Sequence, residues 1–227
     1  MPKTTCNLYD CFLCQHCMTE WRPLIGLNKE TRIIRKGKAV FREGDPVEGI
    51  YFMYAGWVKI HKEWTHPKEL VVRFAGPGDI IGHRGLGDKK NYPVSATALE
   101  DSIVCFVPEE FLETSLRANP TLTYRLMQFY AAELQKAERR MRDLVHMETK
   151  GRIAGALIEM NNKFGTNRDG FIAMPVSRQD IAAYAGTTYE TLFKLFVELK
   201  KDKIISTSGK FVKIKNETKL RQLLIMK

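Results

Sequence analysis

Between residues 30 and 108 short apolar runs alternate with turn residues. The runs at 39–41, 49–53, 57–60, 70–74, 80–81, 95–98 and 103–107 are too short for helices and rich in β-branched and aromatic side chains. Glu43-Gly-Asp-Pro46, Ala55-Gly56, Gly76-Pro-Gly-Asp79 and Gly85-Leu-Gly-Asp88 separate them. Many short strands at close spacing, punctuated by glycine, proline and aspartate, predict a β-barrel or β-roll. From Pro120 the punctuation stops and the period lengthens. Leu126, Tyr130, Leu134, Ala137, Met141 and Leu144 recur at steps of three or four, while Glu133, Lys136, Glu138, Arg139, Arg140, Arg142 and Asp143 take the other faces. That spacing predicts one long amphipathic helix over 120–147 with a near-heptad seam. The seam is longer than one small domain covers, so these residues are expected to pair with a second copy in a homodimer. Packing on the chain's own β-domain is the alternative.

A second helix is predicted over 152–164, then a loop over 165–170 and a short strand over 171–174. Residues 177–200 carry the pattern of a helix-turn-helix. Ser177 can cap a first helix, with Asp180 placed to suit its N-terminal dipole. Gly186 ends that helix, because glycine adopts the left-handed conformation a sharp turn requires. Thr187 then opens a second helix with Glu190 at its third position. Ile181, Leu192, Leu195, Phe196 and Leu199 supply the apolar face between the helices, leaving Tyr189, Glu190, Phe193 and Lys194 near the front of the second. Apolar runs at 204–207 and 210–214, joined by Ser208-Gly209, predict a hairpin wing that offers Lys210 and Lys213 to backbone phosphate.

Of the 227 residues, 44% are hydrophobic and 27% charged, a composition that folds, and the length suits two domains. No run of 18 apolar residues and no basic-then-apolar leader is visible, so a cytoplasmic location with no membrane partner is expected. The net charge of +10 points to a polyanion. From Ser177 onward 11 Lys and Arg face 5 Asp and Glu, so the excess coincides with the helix-turn-helix and favours double-stranded DNA. Four of the five cysteines, Cys6, Cys11, Cys14 and Cys17, crowd the first 17 residues, and Cys105 stands apart. In a reducing compartment such clustering signals metal or redox chemistry more often than disulfides. No Walker loop, G-x-S-x-G, H-E-x-x-H or paired carboxylates occur, and His16, His61, His66, His83 and His146 are scattered, so catalysis is not expected.

β-roll, long helix and winged helix, in that order, resemble the bacterial CRP/FNR family of transcription regulators. Phe41-Arg-Glu-Gly-Asp45 with Ile50-Tyr-Phe-Met-Tyr-Ala-Gly-Trp-Val-Lys59 is similar to the family's early strand-turn-strand signature. Gly76-Pro-Gly-Asp-Ile-Ile-Gly82, residues 95–105 and residues 177–205 resemble its mid-roll turn, the segment before its dimer helix and its DNA-reading unit. The resemblance implies an α+β chain in four parts: a cysteine-rich segment at 1–22, a cyclic-nucleotide-binding-type β-roll at 23–118, a dimerisation helix at 119–147 and a winged helix-turn-helix at 148–227. It also implies a homodimer that binds a two-fold symmetric promoter site and contacts RNA polymerase.

Cyclic-nucleotide binders of the family carry Gly-Glu-Leu late in the roll and Arg-Ser/Thr-Ala downstream. Here those places read Gly82-His83-Arg84 and Val94-Ser95-Ala96, so the ribose carboxylate and the phosphate arginine are both missing. Gly82, His83, Arg84 and Ser95 remain as an effector pocket, and a cyclic nucleotide is not expected there. The FNR-like branch holds a [4Fe–4S] cluster with three N-terminal cysteines and one remote cysteine, a place Cys105 fills. The spacing C-x4-C-x2-C-x2-C departs from that branch; Cys11, Cys14 and Cys17 form the tightest set, with Cys6 as the alternative. A zinc site on Cys6, Cys11, Cys14 and Cys17 with His16, a thiol switch, or no metal at all are the other readings. Family members read DNA with a Glu and, four residues on, an Arg; this chain has Glu190 and Lys194, with Phe193 where a small residue is usual. DNA contacts are thus expected at Ser177, Arg178, Thr188, Tyr189, Glu190, Thr191, Phe193, Lys194, Lys210 and Lys213. Phe193 is open to two readings, a thymine contact or burial in the helix-turn-helix core. Alternatives to the redox-responsive regulator are an iron–sulfur electron-transfer protein, and the same regulator sensing a small ligand in its roll without metal.

Overall fold

The roll takes its form from strands whose two faces are both buried. The computed structural model describes residues 11–65 and 68–225. Among them, the roll contains β1 (Glu30–Ile34), β2 (Ala39–Phe41), β3 (Gly49–Ala55), β4 (Val58–Thr65), β5 (Lys68–Ala75), β6 (Ile80–Ile81), β7 (Ser95–Ala98) and β8 (Ser102–Pro108). They pair antiparallel into two sheets of four, in the orders β1-β8-β3-β6 and β2-β7-β4-β5. Along β3, Tyr51 and Met53 point into a core shared with Phe41, Ile60 and Ala96, while Ile50 and Phe52 enter a separate cluster on the other face. β8 divides the same way, with Val104 and Phe106 on one side and Cys105 and Val107 on the other. A strand covered on both faces has no polar side, which is why these two segments are continuous apolar runs in the sequence.

The second cluster is closed by helices. α1 (Phe12–His16) and α2 (Arg22–Asn28) lie in the N-terminal segment, and α3 (Glu109–Ala118) and α4 (Pro120–His146) follow the last strand of the roll. Leu13, Ile25, Leu112, Leu122 and Leu126 from these helices meet Ile50, Phe52, Cys105 and Val107. The side chain of Asn119, fully buried between α3 and α4, accepts from Met18 N at 2.9 Å and donates to Ser115 O at 2.8 Å. Trp21 Nε1 donates to Ser115 Oγ at 2.9 Å. Both polar side chains that tie the N-terminal segment to this junction are therefore hydrogen-bonded, so their burial does not leave orphaned groups.

Contacts divide the described chain inside α4, near Leu134, into two compact units. The second unit contains α5 (Thr149–Phe164), α6 (Arg178–Ala185), α7 (Tyr189–Lys201), the hairpin β9 (Ile205–Ser208) and β10 (Phe211–Ile214), and α8 (Glu217–Gln222). Ile153, Leu157, Met160, Ile181, Leu192 and Leu199 are among its fully or nearly fully buried side chains. The architecture is thus α+β, a β-roll followed by a long helix and a winged helix-turn-helix. The strand expected over 171–174 is not formed; an isolated bridge joins Thr166 and Ile172. Its backbone is drawn to different partners, with Ile172 N on Val212 O at 2.8 Å and Ala173 N on Gly165 O at 2.9 Å, and Pro175 follows at once.

Candidate nucleic-acid interface and sensory sites

The helix-turn-helix is set by its caps. Ser177, in extended conformation, accepts from Asp180 N at 3.0 Å, and its hydroxyl donates to the Asp180 carboxylate at 2.5 Å. Gly186 closes α6 at φ 63°, where a side chain would strain the backbone. The cap of α7 is Thr188, not Thr187: its hydroxyl accepts from Thr191 N at 3.2 Å. This shifts Glu190 to the second helical position, so the expected reciprocal box does not form. Hydrogen bonds from its own backbone N–H and from Thr188 hold the exposed Glu190 carboxyl below its usual range, ready to accept. Arg152 donates to Ala185 O at 3.0 Å and Arg140 to Tyr184 O at 2.5 Å, satisfying carbonyls that the end of α6 leaves open. The amphipathic pattern places Arg140 on a solvated face and gives no sign of this role.

The ten expected DNA-contacting residues separate into groups. Tyr189, Glu190, Thr191, Phe193 and Lys194 are exposed along one side of α7, and Lys210 is exposed at the wing turn. The reading that buries Phe193 in the core is excluded, since the residue is 57% exposed. Ser177 and Thr188 are engaged as caps. Arg178 is a strap: its guanidinium donates to Gly209 O and Lys210 O at 3.3 Å each and lies 4.7 Å over the Phe196 ring. Lys213 donates to Asp169 O at 2.7 Å, so it ties the wing to the 167–170 loop rather than facing outward.

Cys11, Cys14, Cys17 and Cys105 are all buried and belong to one apolar cluster. Cys11 Sγ caps α1 by accepting from Cys14 N at 3.5 Å, and the Cys17 thiol donates to Cys14 O at 3.7 Å. Burial pushes the Cys17 thiol up, opposed by the Arg22 guanidinium, whose Nε also donates to Cys14 O at 3.2 Å. Thiols in an apolar setting are donors of the kind that iron–sulfur ligation uses. Among the described residues, however, no three His, Cys, Asp or Glu side chains converge as a ligand group. Cys6 lies outside the described residues, and His16 packs edge-on against Phe12 at 4.6 Å.

Five of the six seam residues behave as a partly open stripe. Tyr130, Leu134 and Met141 are exposed and Ala137 and Leu144 half-buried, whereas Leu126 is turned inward to the roll cluster. Met127 takes its place outside, and with Leu134 and Met141 gives an exposed seven-residue repeat.

The effector residues are not brought together as one site. Ser95 accepts from Glu43 N at 2.9 Å in a groove with His61 and Thr97, while Gly82, His83 and Arg84 line a different cavity with Arg73 and Tyr92. That cavity measures about 10 Å³, the space of one water. Glu133, 8% exposed on α4, sets its carboxylate 3.6 Å from Arg73 Nε and 3.8 Å from Arg84 Nη2. Burial and these two arginines lower the His83 pKa to about 3, so the imidazole is neutral, and Tyr130 donates to its backbone carbonyl at 2.6 Å. A protein carboxylate therefore already faces the two arginines that line the cavity. Glu133→Ala is expected to destabilise the first unit by about 2–3 kcal/mol, below the range for a fully buried pair because Arg84 is partly exposed. Added sulfate should restore part of the loss in urea unfolding; unchanged stability with no sulfate response would refute the pairing.

Comparison with known proteins bears on both units. The cyclic nucleotide-binding domain family matches residues 31–119, and the Crp-like helix-turn-helix domain family matches residues 151–223. An anaerobic regulatory protein of Bacillus subtilis is 31% identical across 80% of this chain and 78% of its own length. The transcriptional activator protein anr of Pseudomonas aeruginosa is 29% identical across 97% of this chain and 92% of its own. The structure of FixK2 from Bradyrhizobium japonicum superposes with a TM-score of 0.77 at 27% identity, over 88% of this chain and 98% of that one. These relatives are regulators and not enzymes. With a roll, a long helix and a winged helix-turn-helix matched in the same order, the chain belongs to the CRP/FNR family of DNA-binding transcription regulators.

Proposed function

We propose that this regulator acts as a homodimer on a two-fold symmetric promoter site, that it contacts RNA polymerase there, and that it responds to oxygen or redox state through its cysteines. The observation that carries the redox reading is the shared core of Cys11, Cys14, Cys17 and Cys105 with Leu122 and Leu126 of α4. The name of the Bacillus subtilis relative, an anaerobic regulatory protein, agrees with it. In this reading Cys11, Cys14, Cys17 and Cys105 hold a [4Fe–4S] cluster, whose oxygen lability supplies the signal. The chain's own part is mechanical. Leu13 and Ile25 seat the N-terminal segment on the sheet, Asn119 and Trp21 fix it to the α3–α4 junction, and Leu122 and Leu126 extend the same core into α4. A change in how the cysteine segment is held then alters the footing of the helix that bears the proposed dimer seam. Zinc on Cys6, Cys11, Cys14 and Cys17 is the competing chemistry. A nucleotide effector is disfavoured by the small cavity and by the Glu133 carboxylate, 3.6 Å from Arg73, one of the cations that line it. An electron-transfer role leaves the helix-turn-helix without a purpose.

The dimer reading rests on Met127, Tyr130, Leu134 and Met141, which expose apolar surface along one stripe of α4. Leu134→Glu puts a carboxylate into each side of that seam and should give monomers with weakened DNA binding in sedimentation and binding assays. A wild-type protein that sediments as a monomer at micromolar concentration contradicts the seam. For the cysteines, anaerobically purified protein should contain iron and sulfide in equal amounts and lose both on Cys105→Ser. Stoichiometric zinc without iron would replace the cluster by the zinc reading, and the absence of both would end the metal hypothesis.

A further inference from the structure

Three large apolar side chains on α7 face away from the core of the helix-turn-helix. Tyr189, Phe193 and Val197 are 45%, 57% and 53% exposed. Their spacing of four residues stacks them into one ridge along the helix. Beside it runs a polar ridge of Glu190, Lys194 and Glu198, while Leu192, Leu195, Phe196 and Leu199 occupy the buried side. The Tyr189 and Phe193 rings are nearly parallel, at 25°, with centroids 6.3 Å apart. Arg178, the strap between wing and helix, lies over the inward-facing Phe196.

An apolar ridge left open on a surface needs an apolar counterpart. Here Lys194, Lys200, Lys201, Lys203 and Lys210, all exposed on α7, just beyond it and at the wing turn, outnumber the exposed Glu190, Glu198 and Asp202. Such charge favours a polyanion over an apolar protein partner. On the floor of the major groove the one apolar group is the 5-methyl of thymine. We infer that Tyr189 and Phe193 are specificity-determining residues that pack on thymine methyl groups in each half-site, while Glu190 and Lys194 read the hydrogen-bonding edges beside them. Ring centroids 6.3 Å apart lie between one and two base-pair rises of about 3.4 Å, so the two rings address separate neighbouring base pairs. This inference rests on the promoter-binding reading and adds to it the chemistry of the sequence read.

Sites selected from random DNA by the full-length protein provide the test. Each thymine is replaced in turn by deoxyuridine, which deletes the methyl group and nothing else. Wild-type protein should lose affinity about fourfold at one or two thymines per half-site, the worth of one buried methyl group. Phe193→Ala should weaken binding to the thymine site and become indifferent to uracil at one of those positions, and Tyr189→Ala at the other. Both side chains are exposed, so thermal unfolding of the two variants should match that of the wild type. The inference is overturned if uracil costs nothing in the wild type, or costs the same in wild type and both variants. It is equally overturned if both variants bind every site as the wild type does, which would assign the ridge to a protein partner. A selection that returns no specific sequence removes the promoter-binding reading and this inference together; a specific but uracil-insensitive sequence removes the inference alone.

Discussion

The first unit depends on covering the outer face of the β1-β8-β3-β6 sheet. Ile50, Phe52, Cys105 and Val107 project from that face and are at most 2% exposed, and burying a side chain of the larger kind contributes about 1.5–3 kcal/mol. A two-sheet roll can close its interior by itself, but its outer face needs separate elements. Those elements are α1, α2, α3 and the first turns of α4, which meet around Leu13, Ile25, Leu112, Leu122 and Leu126. The cysteine segment is thus a structural wall of the roll, and the long helix starts from the same wall. Side chains packed at this density do not move independently. A regulator that reports through its long helix would gain from this continuity.

Electrostatics close the other side of the roll. Arg73 and Arg84 converge on the Glu133 carboxylate beside a neutral, buried His83. Removing that carboxylate would leave two partly buried cations with less compensation. The roll therefore keeps an internal counter-ion supplied by α4, a second tie between sheet and long helix. The cysteine wall and the arginine pair grip the helix at different heights, Leu122 and Leu126 at one and Glu133 at the other.

Much of this was legible in the residue pattern because both-face burial makes apolar runs. The segments around β3 and β8 stand out for that reason, and Ser177, Gly186 and the wing turn stand out because caps and turns demand particular residue types. Edge strand β1 did not stand out: Glu30, Thr31 and Ile33 are exposed, Arg32 and Ile34 are half-buried, and among the described residues it pairs with β8. Helical period locates the stripe on α4 but not which neighbour faces inward: Leu126 is buried and Met127 is exposed. Basic residues were the least legible. Arg178, Arg140 and Lys213 look like surface charges, yet each is committed to backbone carbonyls of the same chain. A guanidinium or ammonium carries no mark of its acceptor in the sequence. Glu133 was hidden likewise, one acidic residue on the polar side of an amphipathic helix.

The claim that the cysteine segment and the start of α4 form one packing unit can be measured without reference to any metal. Leu13, 1% exposed, touches the sheet from the N-terminal side, and Leu13→Ala opens a cavity there. Hydrogen–deuterium exchange of the variant against wild type reads where the loosening spreads. Faster exchange is expected in residues 12–28 and, together with it, in residues 120–129. Faster exchange confined to residues 12–28, with the start of α4 unchanged, would show that the two do not form one packing unit.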